Sequence, residues 1–501
     1  MAYSGVKFLF FFLPLTLLAY QVTPQGKRRY VLLAASLIYF YLLSNWLIIY
    51  LLGTIAVVYT AGISMESYAS KKKILTAAAA VLVIGALAVL KYADFMIGNL
   101  NLLANQKIPL LSLAAPIGIS YYTLEAVGYL LEVYWGRIKA ERNVCNLALF
   151  LAFFPQTMEG PIARYQDTAQ QLLEGRPITQ ESLFEGSLLI LWGLFKKIVI
   201  ADRLAVMVNS LYGQWDTIAG ASVLLAGTAF VIQLYMDFSG VIDIVRGSAR
   251  IFQIELPVNF RQPFFAETAS DFWRRWHISL GVWLKTYVFY PMTTSKLVTR
   301  WILFSKKKYG KYISKVGATA LALFPVWLIN GIWHGSQWVY LLYGMYYFVI
   351  LVMEVVLEPV KKKIYKKAGW NAKHWFFHFL RIGRTWVIIF AGELFFNAAS
   401  VRAGVQLLMN LFKDFKFSDL WGKAVTGTGL DAADLVVILC GILIVLLYDL
   451  LKENNIDVMK LIRQQKLPVR WAVCYALILA VVVFGAYGGG YEPIDPMYAS
   501  F

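Results

Sequence analysis

Apolar residues run through this chain in blocks whose length suits a lipid bilayer, and the polar residues gather between the blocks. A membrane helix needs about 20 largely apolar residues. On that measure spans are expected near 7–22, 30–43, 46–64, 74–90, 115–136, 219–236, 316–333, 337–357, 376–396, 434–451 and 471–487. The stretch 146–208 is also apolar but is interrupted by Pro155, Gly160 and Pro161, and by Lys196-Lys197 amid apolar neighbours. Broken helices at membrane depth are tolerated only where protein or a water-filled cavity satisfies the backbone. The first run, near Phe8 to Tyr20, has no small-residue cleavage site and reads as a retained span. No repeat and no polar linker divides the chain. The expectation is one all-α, polytopic membrane domain over 1–501, ending in a tail over 488–501.

Composition agrees. Apolar residues make up 59% and charged residues 15%, against roughly 45–50% and 25% in a soluble domain. The formal charge of +18 could suggest a nucleic-acid partner, but its distribution argues against one. Lys27-Arg28-Arg29, Lys71-Lys72-Lys73, Lys306-Lys307-Lys308 and Lys361-Lys362-Lys363 lie between apolar runs, as basic residues do in cytoplasmic loops. With those clusters inside, the N-terminus and the tail both lie outside. The two spans between Lys308 and Lys361 then form a hairpin whose outward turn holds Trp333-His334-Gly335. Cys145, Cys440 and Cys474 are scattered and lack metal-ligand spacing. No metal is expected.

Four histidines remain as candidates for chemistry: His277, His334, His374 and His378. His334 follows Asn330-Gly331-Ile332-Trp333, and an ionisable residue at membrane depth is a functional candidate. Asn330, four residues earlier, shares its helical face and is placed to fix the imidazole tautomer. An imidazole can take a hydroxyl proton at neutral pH, a step worth about 10²–10⁴-fold in rate. An interfacial histidine at a hairpin turn fits the same spacing. His277 ends Ser270-Asp271-Phe272-Trp273-Arg274-Arg275-Trp276-His277. With Ser270 or Asp271 as N-cap, a single helix to Leu284 would put Phe272, Trp273, Trp276, His277, Leu280, Trp283 and Leu284 on one face. At 1.5 Å per residue it would reach about 22 Å, too short to span. It is either an interfacial helix or part of a site. His374 and His378 have zinc-like spacing without the glutamate of a zinc protease and are assigned nothing. Glu159 and Arg164, and likewise Asp237 and Ser239, sit beside Gly or Pro in apolar surroundings. They line a polar interior or form buried ion pairs that fix packing.

Several segments together resemble the membrane-bound O-acyltransferase family, in its bacterial polysaccharide-modifying branch. They are Phe154-Pro155, Gly160-Pro161-Ile162, Arg164-Tyr165, Asp237-Phe238-Ser239-Gly240, Asp271 through Leu280, and Trp333-His334-Gly335, over a core of about 150–345. The resemblance implies a ring of tilted helices, with re-entrant and interfacial pieces, around a central tunnel. It also implies transfer of an acyl group, acetyl above all, from a cytoplasmic thioester to hydroxyls of an extracellular polysaccharide, at a bacterial cell membrane. His334 maps to the family's invariant histidine and His277 to its second. Asn330, Trp276, Trp333, Asp237, Ser239, Arg164 and Glu159 are the accompanying substrate-binding candidates. Acetyl-CoA or an acyl-carrier thioester would be co-substrate, with no resident cofactor. A partner acyltransferase outside and membrane lipids would be the other contacts. The ending Tyr498-Ala499-Ser500-Phe501 is similar to a short terminal motif of the branch, which implies Tyr498 as a transient acyl carrier. Where the branch often has Phe-Phe-Arg, this chain has Phe395-Phe396-Asn397, so no role for that arginine transfers. Two other functions stay open: D-alanyl transfer from a carrier protein to a teichoic-acid-type polymer, and a transporter or channel.

Overall fold

The computed structural model describes residues 1–371, 374–420, 422, 425 and 427–487, and these residues form helices and connecting loops without a strand. In chain order the helices are α1 (Leu13–Val22), α2 (Arg28–Ser44), α3 (Ile48–Ser67), α4 (Lys72–Ala104), α5 (Ile119–Tyr134), α6 (Val144–Ala152), α7 (Tyr165–Glu174), α8 (Gln180–Leu194), α9 (Asp202–Gly213) and α10 (Ala221–Ile251). They continue with α11 (Ala269–Arg275), α12 (Ile278–Leu284), α13 (Tyr290–Thr293), α14 (Lys296–His334), α15 (Trp338–Lys367), α16 (Trp375–Phe396), α17 (Val401–Asn410), α18 (Ala432–Glu453), α19 (Val458–Arg463) and α20 (Leu467–Phe484). Among the described residues, seven helical stretches are long and apolar enough to cross a membrane, one of them joining α2 to α3. The protein is a multi-pass membrane protein.

Four expected spans differ in the structure, the first being that near 7–22, which is the helical stretch Lys7–Val22, too short to count among the seven. The one near 115–136 is α5, 16 residues long and almost wholly buried, a core helix of about 24 Å. The one near 219–236 extends to Ile251, because lysines neutralise the acids that end its apolar pattern. The one near 376–396 forms α16 but carries Arg381, Arg384 and Glu393 and falls outside the seven.

Contacts divide the chain into two compact units. The first comprises Met1–Ile200, Tyr235–Val258 and the segment from Met459. Its irregular stretch between α6 and α7 is the interrupted region of the sequence, and residues 153–163 there are buried. Protein groups satisfy its backbone: Phe154 N–H donates to Ser36 Oγ (3.0 Å), Ala163 N–H to Glu125 Oε1 (2.9 Å), and Tyr3 O–H to the Phe154 carbonyl (2.7 Å). That is the condition for irregular backbone at membrane depth. After α8 the helix widens into a π turn over Phe195–Ala201. There Lys197 pairs with Asp237 (2.6 Å), and Lys196 with Asp243 (2.7 Å) and Ser239 Oγ (2.9 Å). A Cβ on Gly193 would lie 2.4 Å from the Gly240 carbonyl oxygen, so the two backbones meet directly.

The second unit comprises Ala201–Leu234 and Asn259–Val458. Within α14 the helix breaks at Gly310 (φ 85°), and the chain doubles back so that Trp301 Nε1 donates to the Ser314 carbonyl at 3.3 Å. The later part of α14 and α15 form the expected hairpin. Glycines let them touch: a Cβ on Gly344 would sit 2.3 Å from the Trp327 carbonyl oxygen and 3.1 Å from Gly331 Cα. This crossing brings the last turns of α14, where His334 stands, against the start of α15.

Candidate active site

Where one helix was expected from Ser270 to Leu284, there are two short ones, α11 and α12, with Trp276 and His277 between them. Thr268, rather than Ser270 or Asp271, is the N-cap of α11, its hydroxyl accepting from Asp271 N–H at 3.0 Å. His277 has φ 45°, a left-handed conformation that a helix interior does not allow. Asn259 holds this corner. Its carbonyl accepts from Ile278 N–H (3.0 Å), and its Oδ1 accepts from Ser279 N–H (2.9 Å) and faces His277 Nδ1 at 3.4 Å. Because Ser279 N–H identifies that atom as the oxygen, it can only accept. The Nδ1–H tautomer of His277 is the one that can donate to it, and that tautomer has its lone pair on Nε2. His277 lies outside the membrane-spanning helices, and burial pushes its imidazole down to about 3, so it is neutral.

Anchors at both ends hold α11. Glu354 accepts from the N–H groups of Ala269 (2.7 Å) and Ser270 (3.2 Å), and from Ser270 Oγ (2.6 Å). Arg275 pairs with Asp271 (3.1 Å) and Glu453 (2.7 Å). Its neighbour Trp276 stacks on Phe272 at 5.4 Å and meets Phe260 edge-on at 5.0 Å.

His334 ends α14 and is buried. Trp333 lies between the two histidines, its ring 5.4 Å from that of His277 and 5.0 Å from that of His334. Behind His334 stand Phe396 (5.1 Å) and Tyr343 (5.7 Å), and Tyr343 O–H donates to Glu393 Oε1 at 2.7 Å. A chamber of about 360 Å³ opens between α11–α12 and the α14–α15 hairpin, and His277, Asn330 and His334 all line it. The rest of its wall is mostly apolar, with Trp273, Trp327 and Leu280 among its residues.

Asn330 does not hydrogen-bond to His334. Its Oδ1 is buried on the chamber wall and has no hydrogen-bond partner among the described residues. Side chains on a helix lean towards its N-terminus, which tilts Asn330 away from the residue four places on. The indole N–H of Trp273, which also lines the chamber, is likewise buried and without a partner among the described residues. A buried polar atom left unmatched costs about 1–3 kcal/mol, and a ligand with a complementary donor or acceptor removes that cost.

The remaining candidates have other surroundings. Asp237 and Ser239 meet Lys197 and Lys196 in the first unit. There Arg164 pairs with Asp167 at 2.7 Å, and Glu159 is fully buried. Tyr498 lies outside the described residues. His374 caps α16, accepting from Phe376 N–H at 3.3 Å, and His378 Nδ1 is 2.7 Å from Glu267 Oε1. The sequence reading missed Asn259 and the Tyr343–Glu393 pair. Nothing local marks Asn259, which lies 18 residues from His277. Glu393 did carry a signal, as an ionisable residue within an expected span.

Residues 8–305 match the membrane-bound O-acyltransferase family, a stretch that includes His277 and ends before His334. The probable alginate O-acetylase AlgI of Pseudomonas syringae pv. tomato is 30% identical over 446 residues, covering 87% of this chain and 80% of that protein. The peptidoglycan O-acetyltransferase of Helicobacter pylori is 27% identical over 347 residues, covering 64% of this chain and 61% of that one. The teichoic acid D-alanyltransferase of Bacillus subtilis is 30% identical over 253 residues, covering 49% of this chain and 60% of its own length. The family match covers more than half the chain, and one relative is similar through most of it: the protein belongs to the membrane-bound O-acyltransferase family and is an acyltransferase.

Proposed function

We propose that this protein moves an acetyl group from a cytoplasmic thioester, acetyl-CoA, towards the hydroxyls of an extracellular polysaccharide, with His334 as the catalytic base. The reading is carried by the chamber that His334, His277 and the unmatched Asn330 Oδ1 all line. His334 takes the proton of an acceptor hydroxyl, whose oxygen attacks the thioester carbonyl. The C–S bond then breaks, the thiolate recovers the proton from the imidazolium, and the products are an ester and a free thiol. His277, neutral with its lone pair on Nε2, accepts a hydrogen bond from donor or acceptor. Trp273 N–H is the donor available to the carbonyl oxygen as it gains charge. In the same reading the protein sits in the bacterial cell membrane with both termini outside, and the phenol of Tyr498 is the first acceptor. From there the acetyl group passes to a partner acyltransferase or to the glycan.

The test is incubation of purified wild type, His334→Ala and Tyr498→Phe with acetyl-CoA in detergent. CoA release and the mass of the C-terminal peptide are followed. The expected result is CoA release by wild type that falls about 10²–10⁴-fold in His334→Ala, and acetyl on Tyr498 in wild type alone. An unmodified tail with His334-dependent CoA release removes the relay and keeps the acetyltransferase. Turnover of a D-alanyl-carrier thioester, with none of acetyl-CoA, overturns the choice of acyl group and donor.

A further inference from the structure

A second cavity, of about 520 Å³, lies between α11, α15 and α16 and has no part in the chemistry above. It touches the catalytic chamber, since Ser270 and Arg274 line both. Three cations converge on it: Arg274 from α11, Lys361 from α15 and Arg384 from α16. Its acids, and the one beside it, are already engaged. Glu354 caps α11. Glu358 pairs with Lys362 at 2.7 Å and Lys315 at 3.5 Å. Glu267, next to the cavity, is held by Arg381 and by His378. Arg384 donates only to the Glu267 carbonyl oxygen, at 2.8 Å. None of the three cations has a carboxylate partner among the described residues. Glu354 and Glu267 act on Lys361 only at longer range, so three cations against the two lining carboxylates leave the cavity with a positive excess, which calls for an anion.

The rest of its surface shows what carries that anion. Ile350, Met353, Leu357 and Ile388 form an apolar wall. Met353 and Leu357 of that wall, and Val360 and Ile364 further along, are all exposed on α15. Their spacing of four, three and four residues makes one stripe along the helix, whose last two members, Val360 and Ile364, flank Lys361-Lys362-Lys363. A soluble phosphate would use the cations and leave the stripe bare. A phospholipid uses both, its headgroup among the cations and its acyl chains along the stripe.

We propose that this cavity is a binding site for an anionic glycerophospholipid, with the headgroup phosphate held by Arg274, Lys361 and Arg384. Because Arg274 and Ser270 face both cavities, the bound lipid braces α11, which carries one wall of the catalytic chamber. Anionic headgroups are drawn to basic pockets of this kind at the end of a membrane span.

The test is lipid retention by the full-length protein, and it needs no turnover. Wild type, Lys361→Gln/Arg384→Gln and the charge-keeping Lys361→Arg/Arg384→Lys are placed in nanodiscs of mixed phosphatidylglycerol and phosphatidylcholine. They are then extracted, checked for monodisperse elution, and read by native mass spectrometry. Wild type and the charge-keeping variant should retain phosphatidylglycerol over phosphatidylcholine. The neutral variant should lose it by roughly thirtyfold, at about fivefold per cation. Equal retention of both lipids by wild type overturns the proposal, and so does loss in the charge-keeping variant. Retention unchanged in the neutral variant, with weakened binding of free CoA or inorganic phosphate, would assign the cations to a soluble ligand instead.

Discussion

The π turn of the first unit and the chamber of the second both place polar groups deep inside apolar protein, yet they handle them differently. At the π turn every buried cation has an anion: Lys197 meets Asp237, and Lys196 meets Asp243. At the chamber, Asn330 Oδ1 and Trp273 N–H face a cavity without partners among the described residues. Matched charges in a low-dielectric interior hold helices in register and have nothing left to offer a ligand. Unmatched acceptors and donors beside a cavity destabilise the resting protein and are available to a ligand. By this criterion Asp237 and Ser239 are matched and Asn330 is not, although all three were substrate-binding candidates in the sequence.

The largest effect should come from breaking a matched pair. Lys197→Ala leaves Asp237 charged and buried, and should cost about 3–5 kcal/mol, seen as a large drop in the thermal midpoint in detergent. Lys197→Met with Asp237→Leu should recover most of the loss. If the double variant stays as unstable as the single one, the pair is more than a packing device.

The chamber should behave in the opposite way. Asn330→Leu removes an unmatched acceptor, so the thermal midpoint should hold or rise while thioester turnover falls by about tenfold to a hundredfold. A lowered midpoint with normal turnover would make Asn330 structural and erase the contrast between the regions.

The smallest effect concerns pH. His277→Asn keeps a donor near Nδ1 and suits the left-handed backbone, which asparagine tolerates well. It should reduce turnover severalfold at most. With its imidazole pushed down to about 3, His277 gains no proton between about pH 5 and 9. The acid limb of the pH–rate profile should therefore coincide in wild type and variant. A limb that moves would mean that His277 titrates in the working range.

Much of the architecture was legible because it follows from solvent. Hydrocarbon demands long apolar runs, and lysine clusters mark where those runs end, so the long spans and the α14–α15 hairpin could be read directly. The broken character of 146–208 was legible for the same reason, through its proline, glycine and lysine interruptions. The extension of α10 past residue 236 was not, because Asp237 and Asp243 look like a helix end until Lys196 and Lys197 are set against them.

Both histidines could be picked out locally, since an imidazole in apolar surroundings stands out in any window of sequence. Their surroundings could not. The corner at His277 depends on Asn259, and His334 rests on Tyr343, held in turn by Glu393 from a third helix. The sequence by itself determined that the chain crosses a membrane repeatedly and singled out two histidines as candidates for chemistry, because hydrophobic period and residue type are local properties. Tertiary structure alone decided which polar residues are matched with one another and which are left unmatched beside a cavity, because pairing depends on which helices meet.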